Sequence, residues 1–226
     1  MSLSVAARDS SLKEKLSKIL EKKNIGDLDY SLDFFLPQLP WNLPKMFPEF
    51  QRFHLELGCG WGEYSREWAA QHPDVLTIAV EKKRKRVFST IKESRAAGLK
   101  NIRYLILDVE WFFEQLFIDN TFDFVTVNFP DPWPKAKHHK HRFMGEAFLQ
   151  KLHSICRANC RLEFGSDSFE YANEVVHSIA STPGWQNIHG DGVLLPQIEG
   201  RPCSFFQQLQ QELGFFTYFI QANCIK

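Results

Sequence analysis

The chain has 226 residues, of which 27 are lysine or arginine and 27 are aspartate or glutamate, so its formal net charge at pH 7 is zero. This balance excludes binding to nucleic acid through bulk positive charge, but it allows local basic patches. Hydrophobic residues make up 44% of the sequence and include 21 phenylalanines, which excludes a disordered chain and indicates a folded domain with a sizeable core.

The cysteines and the hydropathy pattern restrict where the protein works. The five cysteines are scattered and odd in number, which favours free thiols in a reducing compartment over a disulfide framework. Cys156 and Cys160 lack a second pair of ligands, so the sequence predicts no zinc site there. We recognise no signal-peptide pattern and no apolar run of membrane-spanning length, and we therefore expect a cytoplasmic protein without membrane contact.

The first 48 residues are predicted to be an extension, and residues 49–226 the main domain. Residues 10–26 predict a helix, because apolar residues recur at helical spacing from Leu12 to Leu20 and Gly26 can end it. Four prolines between positions 36 and 48 predict an irregular lead-in to the first strand.

A glycine-rich stretch, His54–Glu63, predicts a strand that runs into a tight loop and then into a helix. Glycines allow a sharp turn and let a ligand approach the main chain closely. They stand at alternate positions, Gly58, Gly60 and Gly62. A dinucleotide-binding loop would place its third glycine at position 63, which is glutamate here. With Glu56 the stretch instead resembles the Glu-x-Gly-x-Gly-x-Gly loop of S-adenosylmethionine-dependent methyltransferases, although glycine-rich turns also occur as plain connections.

Strands and helices alternate through the rest of the chain. Predicted strands cover residues 75–80, 102–107, 122–129, 161–164 and 215–221, the last with aromatic residues assigned to the core. Predicted helices cover residues 63–71, 82–97, 145–158 and 168–181. This alternation predicts an α/β fold with a mostly parallel sheet, helices on both faces and a late antiparallel strand, in which ligands bind at the carboxyl ends of the strands.

Acidic residues follow several of these strands. Glu81 stands at the tip of the second strand, about 20 residues beyond the glycine loop, where a carboxylate can hold the hydroxyl groups of a ribose. Asp108 follows the third strand, at a tip that lies beside an adenine in this fold. Both residues also have a plainer interpretation, Glu81 as a solvated helix start and Asp108 as a helix cap.

The segment Asn128–Lys135 follows the fourth strand. Two prolines around Asp131 restrict the backbone and hold the carboxylate in place, and Trp133 can stack on a base. Residues 135–142 then carry four permanent positive charges and three histidines. A charge run is usually a solvated face, but a fixed carboxylate beside a cationic loop suits a nucleotide base beside its phosphates.

The segments Phe129–Trp133, Lys140–Arg142 and Ser166–Asp167 resemble the bacterial tRNA (guanine-N7-)-methyltransferase family, and the resemblance covers roughly residues 50–220. It implies a Rossmann-like class I methyltransferase fold and the methylation of guanine N7, in the variable loop of tRNA, by S-adenosylmethionine. It assigns cofactor contacts to the loop and strand-tip residues Glu56, Gly58, Gly60, Gly62, Glu81, Asp108 and Asp131. It assigns catalysis to Asp131 and substrate contacts to Lys135, Asp167, Ser204 and Gln207. It implies no metal and leaves open the oligomeric state and the set of tRNAs.

The segment Arg201–Gln207 departs from the family pattern Arg-Pro-x-Thr-Lys-Phe-Glu. Ser204 keeps the hydroxyl group, whereas Phe205 replaces a lysine and Gln207 a glutamate. A glutamate can accept from both donors on the pairing edge of guanine, but an amide can accept from only one of them. We therefore expect Gln207 to contribute little to recognition, and Asp131 and Asp167 to supply the important carboxylates.

The target atom determines what the enzyme must do. Guanine N7 has a free lone pair on the major-groove edge, so no proton has to leave before it attacks a methyl group. The enzyme therefore has to align the nucleophile, the methyl group and the leaving sulfur, and to stabilise the positive charge that forms on the ring. We assign the charge stabilisation, or the orientation of the base, to Asp131.

Two other interpretations stay open. The segment Asn128–Trp133 distantly resembles the loop of amino-group methyltransferases that act on other nucleic acids, but the adjacent prolines of that loop are absent. The chain is alternatively a non-catalytic RNA-binding subunit with a methyltransferase fold, an interpretation supported only by Phe205 and Gln207. The complete set of acidic cofactor-contacting positions argues against it.

Overall fold

The computed structural model describes residues 25–32, 39–108 and 113–226, together with Glu14, Lys18, Ile19, Glu21 and Lys22. These five positions are helical, but most of the predicted 10–26 helix lies outside the described residues. Within the proline-rich lead-in, a short helix, α1, covers Leu43–Met46 and is capped by the Asn42 side chain, which accepts a hydrogen bond from the Lys45 nitrogen at 3.2 Å. The domain boundary at residue 48 stays a prediction.

Seven strands form one sheet: β1 (Arg52–Leu57), β2 (Val75–Glu81), β3 (Ile102–Ile106), β4 (Phe122–Asn128), β5 (Cys156–Ser166), β6 (Trp185–Asn187) and β7 (Tyr218–Cys224). Their order across the sheet is β3-β2-β1-β4-β5-β7-β6. The first five strands pair in parallel, and β7 pairs antiparallel with both β5 and β6. The predicted α/β fold with a late antiparallel strand is confirmed.

The remaining helices are α2 (Glu63–Gln71), α3 (Arg84–Ala96), α4 (Phe113–Leu116), α5 (Glu146–Ile155), α6 (Phe169–Ser181) and α7 (Phe205–Glu212), with a 3-10 helix at Ala136–His141. Because successive side chains of a strand point to opposite faces, β2 contributes to two cores. Ile78 packs into the large core that includes residues of α5 and α6, whereas Ala79 packs against Val87 and Ile91 of α3. Helices therefore cover both faces of the sheet.

Several element boundaries differ from the sequence prediction, and the largest difference is at β5, which begins at Cys156 instead of residue 161. Helix α5 ends at Ile155, three residues before the predicted end, because Cys156 already pairs with Phe122 of β4. The last strand begins three residues later than predicted, and Phe215 and Phe216 are 58% and 79% exposed, so their assignment to the core was wrong. Strand β6 and helix α7 were not predicted.

The helices in the described part of the chain do not reach the combination of length and apolar character that crossing a membrane requires.

Candidate active site

The three loop glycines all have positive φ angles, but they differ in how much space surrounds them. The φ angles of Gly58, Gly60 and Gly62 are 79°, 60° and 75°, in the left-handed region that glycine adopts without strain. A Cβ atom added to Gly58 or Gly60 would meet no atom of the described residues within 4 Å. A Cβ atom on Gly62 would lie 2.0 Å from Oγ1 of Thr90 in α3. The first two glycines therefore face open space that a ligand can enter, whereas the third permits close packing of α3.

Glu81, the last residue of β2, is bonded to the glycine loop. Its side chain is buried, and Oε2 accepts a hydrogen bond from the Gly60 nitrogen at 3.1 Å. Oε1 accepts from the Lys83 nitrogen at 2.8 Å, and Nη1 of Arg86 lies 3.5 Å from Oε2. Each carboxylate oxygen has two lone pairs, so the two main-chain bonds leave one lone pair on each oxygen. A ribose hydroxyl group could donate to Oε1 directly, and a second one to Oε2 by replacing the 3.5 Å contact with Arg86.

Glu56, near the end of β1, is buried to 1% exposure. Its carboxyl group accepts hydrogen bonds from the hydroxyl group of Ser65 and, at 3.0 Å, from Nδ2 of Asn128. Burial raises the pKa of Glu56 to about 7, against the lowering effect of these two donors and of the Arg201 charge. A cationic ligand group placed beside Glu56 would therefore favour its ionised form.

Two adjoining cavities lie at the carboxyl ends of the parallel strands. The first is lined by residues that include Glu81, Lys82, Lys83, Asp108 and Trp133. The second is lined by residues that include Glu56, Trp61, Asp167, Ser204 and Phe205. Both are lined by Gly58, Arg86, Asn128, Phe129 and Asp131. The structure thus brings the acidic residues predicted from the strand ends to one edge of the sheet, with Asp131 between the two cavities.

The backbone around Asp131 is strained and anchored. Phe129 and Trp133 have φ angles of 46° and 45°, in a region that bulky residues rarely adopt and that persists where the surrounding structure enforces it. The Phe129 nitrogen donates to the Gly165 oxygen at 2.8 Å, and Nε of Arg142 donates to the Pro132 oxygen at 2.8 Å. These contacts add to the two prolines in holding the exposed Asp131 carboxylate in place.

In the basic run at residues 135–142, some side chains are exposed and others are paired with acidic residues. Lys135 lies outside both cavities, exposed at the start of the 3-10 helix, and Lys137 and Lys140 are exposed as well. The Arg142 side chain is only 3% exposed, because its guanidinium group contacts Glu174 at 2.6 Å and Glu170 at 3.5 Å on α6. His139 also approaches these two carboxylates. Arg142 therefore anchors the loop instead of offering a charge to a ligand.

The predicted substrate-contacting residues Asp167, Ser204 and Gln207 differ in whether they line the second cavity. Asp167 and Ser204 line this cavity, and burial raises the pKa of Asp167. Ser204 also caps α7, where its Oγ accepts from the Gln207 nitrogen at 3.2 Å. The Gln207 side chain is 8% exposed and lies outside the cavity, and its Oε1 accepts from Arg201 at 3.3 Å. Its place on the cavity wall is taken by the two aromatic residues Phe205 and Phe206.

Three residues of the site were not singled out from the sequence. Asn128 and Arg86 line both cavities, and Arg201 connects Asn128 with α7. Asn128 and Arg201 each open a motif that is recognisable in the sequence, and Arg86 ends the basic stretch at residues 82–86. Their place in recognisable motifs could have marked these three residues as candidates. A local sequence pattern does not, however, reveal which side chains face a cavity.

Comparison with known proteins gives consistent matches. A family model described as "Putative methyltransferase" matches residues 51–217. The tRNA (guanine-N(7)-)-methyltransferase of Leptospira interrogans serogroup Icterohaemorrhagiae serovar Lai (strain 56601) is 32% identical over 203 residues, which cover 88% of this chain and 93% of that protein. The protein of the same name from Aliivibrio salmonicida (strain LFI1238) is 30% identical over 183 residues, 81% of this chain and 76% of that protein.

Solved structures share the architecture. The 16S rRNA methyltransferase KamB superposes with a TM-score of 0.60 at 14% identity, covering 81% of this chain and 93% of that chain. The antibiotic-resistance methyltransferase Kmr superposes with a TM-score of 0.56 at 20% identity, covering 82% of this chain and 94% of that chain. At these identities the likeness shows the fold alone, and it confirms the expected Rossmann-like class I fold.

Proposed function

The chain belongs to the tRNA (guanine-N7-)-methyltransferase family, and from this premise we propose that it methylates N7 of a guanine in tRNA with S-adenosylmethionine as the methyl donor. By family resemblance, the guanine lies in the variable loop. The observation that carries the proposal is the pair of adjoining cavities with Asp131 between them. One cavity then holds the nucleoside part of the cofactor, and the other receives the methyl group and the target base.

The residues of the first cavity fit the nucleoside part of the cofactor. Gly58 lines this cavity and Gly60 the second one, and both face open space, so the loop leaves room for a ligand against the main chain. Glu81 would hold the ribose hydroxyl groups, since its oxygens are already oriented by the Gly60 and Lys83 nitrogens. Asp108 would accept from the exocyclic amine of the adenine. Gly62 supports the loop through its packing against α3.

The methionine part carries a cationic amino group that suits the second cavity. Glu56 lines this cavity, and its raised pKa means that binding of a cation is linked to the release of a proton. When bound, the cofactor supplies an electrophilic methyl group on a sulfonium, and a ring nitrogen with a free lone pair attacks it.

Asp131 and Asp167 are positioned to hold the target base. Both line the second cavity, where Asp131 would stabilise the positive charge that develops on the guanine ring or would orient the base through its donor edge. Phe205 and Phe206 offer apolar faces on the opposite wall. Lys135, with the other exposed lysines of the basic run, would contact phosphate groups beside the base.

Methylation of an unmodified tRNA transcript tests this function. The protein is incubated with the transcript and methyl-labelled S-adenosylmethionine, and the nucleosides are separated and identified by mass spectrometry. We expect labelled 7-methylguanosine, which should disappear when the variable-loop guanine of the transcript is replaced by adenosine. Label on an exocyclic amine would indicate the amino-group methyltransferase alternative, and cofactor binding without any label would indicate a non-catalytic RNA-binding subunit.

A further inference from the structure

Arg201 is a buried arginine whose side chain bonds residues of three elements, β4, β5 and α7. Its side chain is 3% exposed and packs against two aromatic rings, with the guanidinium carbon 4.7 Å from the ring centre of Tyr64 and 4.8 Å from that of Phe219. Nε donates to Oε2 of Glu163 at 3.2 Å, and the other oxygen of Glu163 accepts from Gln221 at 2.9 Å. The charge of Arg201 is therefore paired with Glu163, and its side chain is held by contacts with both rings as well.

The two outer nitrogens of Arg201 each meet an amide side chain. Nη2 donates to Oδ1 of Asn128, and Nη1 donates to Oε1 of Gln207 at 3.3 Å. An arginine has donors and no acceptors, so both amides must present their oxygen atoms to it. The orientation of the Asn128 amide, which could otherwise turn by 180°, is thereby determined.

This orientation determines what Glu56 meets. With Oδ1 of Asn128 held by Arg201, Nδ2 points away and donates to Oε1 of Glu56 at 3.0 Å. If the amide turned over, its oxygen would face the Glu56 carboxylate, and two acceptors would oppose each other. Arg201 thus acts on Glu56 through Asn128, from the segment that also begins α7.

We propose that Arg201 is a positioning residue that orients Asn128 so that Glu56 is presented as a carboxylate to the cationic amino group of the cofactor. This inference rests on the proposed function. It also connects the two sides of the site, because Arg201 bonds Gln207 on the substrate side and Asn128 between the two cavities. A change at Arg201 should therefore alter cofactor binding even though Arg201 lines neither of the two cavities.

The effect is best measured through pH, because Glu56 must be ionised to hold a cation. The charged and titratable groups around Glu56 come from its own strand, the glycine loop, α2, α3, the strand tips and the Arg201 segment; they are His54, Cys59, Glu63, Tyr64, Arg86, Asp131, Asp167 and Arg201. The Asn128 hydrogen bond and the Arg201 charge both lower the pKa of Glu56, so loss of Arg201 should raise it.

Binding of S-adenosylhomocysteine, which keeps the amino group but transfers no methyl group, is measured by calorimetry between about pH 5.5 and pH 8.5. The wild type should bind more tightly as the pH rises through about 7. In R201M the midpoint of this rise should move upward by about one pH unit. R201K keeps the charge but loses the forked geometry, and it should show a smaller upward shift.

The matched control is R161M. Arg161 lies on β5, next to the strand β4 that carries Asn128, but it bonds Asn223 at 3.2 Å instead of Asn128. Its midpoint should equal that of the wild type. If R201M does not fold, N128A breaks the same connection with Arg201 in place, and it should show an upward shift smaller than that expected for R201M, because the Arg201 charge is kept. A lowered melting temperature with an unchanged midpoint would mean that Arg201 is purely structural. Failure of the wild type to bind at any pH would instead contradict the proposed function.

Discussion

The main-chain nitrogen of Gly60 donates a hydrogen bond to Oε2 of Glu81 over 3.1 Å, which joins the glycine loop of β1 to the tip of β2. The same carboxylate accepts from the Lys83 nitrogen at the start of α3. Glu81 therefore organises the loop before any ligand arrives. In the proposed function Glu81 therefore has two roles: it would contact the ribose directly, and it holds the backbone of the glycine loop.

Replacing Glu81 by alanine should weaken binding of S-adenosylmethionine by about 1–3 kcal/mol through loss of charge-assisted hydrogen bonds. Calorimetric titration of E81A and the wild type at one pH measures this difference. D191A is the control, because Asp191 is an exposed acidic residue in the loop after β6. Equal affinities of E81A and wild type would show that the ribose contact has been assigned to the wrong residue.

Alanine at position 60 and alanine at position 62 should affect different properties, cofactor affinity and stability respectively. Both substitutions place a side chain at a positive φ angle, which costs about 1–2 kcal/mol. G62A in addition drives a Cβ atom against Thr90, so its free energy of unfolding should fall by about 1–3 kcal/mol more than that of G60A.

G60A should lose cofactor affinity instead, because its Cβ atom enters the open space before the loop. Urea unfolding and calorimetric titration of both variants separate the two effects. The reverse pattern, with G60A the less stable protein, would contradict the roles assigned to these glycines.

Glu56 should make the stability of the protein depend on pH. Its pKa is raised by burial from an ordinary value of 4.5 to about 7 in the folded chain, so between these values the native state holds a proton that the unfolded state has lost. The contribution of Glu56 to stability is therefore complete below about pH 4.5 and is lost as the pH rises through about 7. Urea unfolding of wild type and E56Q at several pH values measures this contribution as the difference between the two curves. Parallel curves would mean that Glu56 ionises normally.

Asp131 and Gln207 should differ strongly in their effect on turnover. D131A should slow single-turnover methylation by about 100-fold or more, because a positioned charge is lost beside the reacting ring. Q207A should cost less than about tenfold, since the Gln207 side chain bonds Arg201 and lies outside the cavity. Q207E shows whether a carboxylate at this position increases the rate. A loss in Q207A as large as that in D131A would show a recognition role for the amide.

Binding of tRNA should weaken steeply with salt despite the zero net charge. Alanine at both Lys135 and Lys140 should flatten the slope of log affinity against log salt by about 1–2 units, because each lysine displaces a condensed counterion from phosphate. Both lysines are exposed on the basic run. The control pair is K92A with K100A, which are also exposed but lie on α3 and before β3. Equal slopes for the two double variants would identify the run as a solvated face.

The sequence determined the framework of the site. Alternating strand and helix patterns indicate a parallel sheet, and a residue that follows a strand in such a sheet must lie at its carboxyl edge. Glu81, Asp108, Asp131 and Asp167 lie at that edge as predicted. Helix α2 has the predicted bounds, and Ser168 caps α6 through a hydrogen bond from the Tyr171 nitrogen at 3.3 Å. These features depend on neighbours within a few residues, which a local pattern contains.

Tertiary structure alone decided which side chains of a motif line the two cavities. Arg142 belongs to a basic run, yet it turns to Glu174, 32 residues further along the chain. Gln207 stands in a predicted recognition segment, yet it bonds Arg201, which in turn bonds Asn128 at a separation of 73 residues. Such contacts form because the fold brings distant polar groups together in places that exclude water, where most buried donors and acceptors are paired because an unpaired one is costly. Which partner it finds depends on the packing of the whole domain, and the residues on either side of it do not specify that choice.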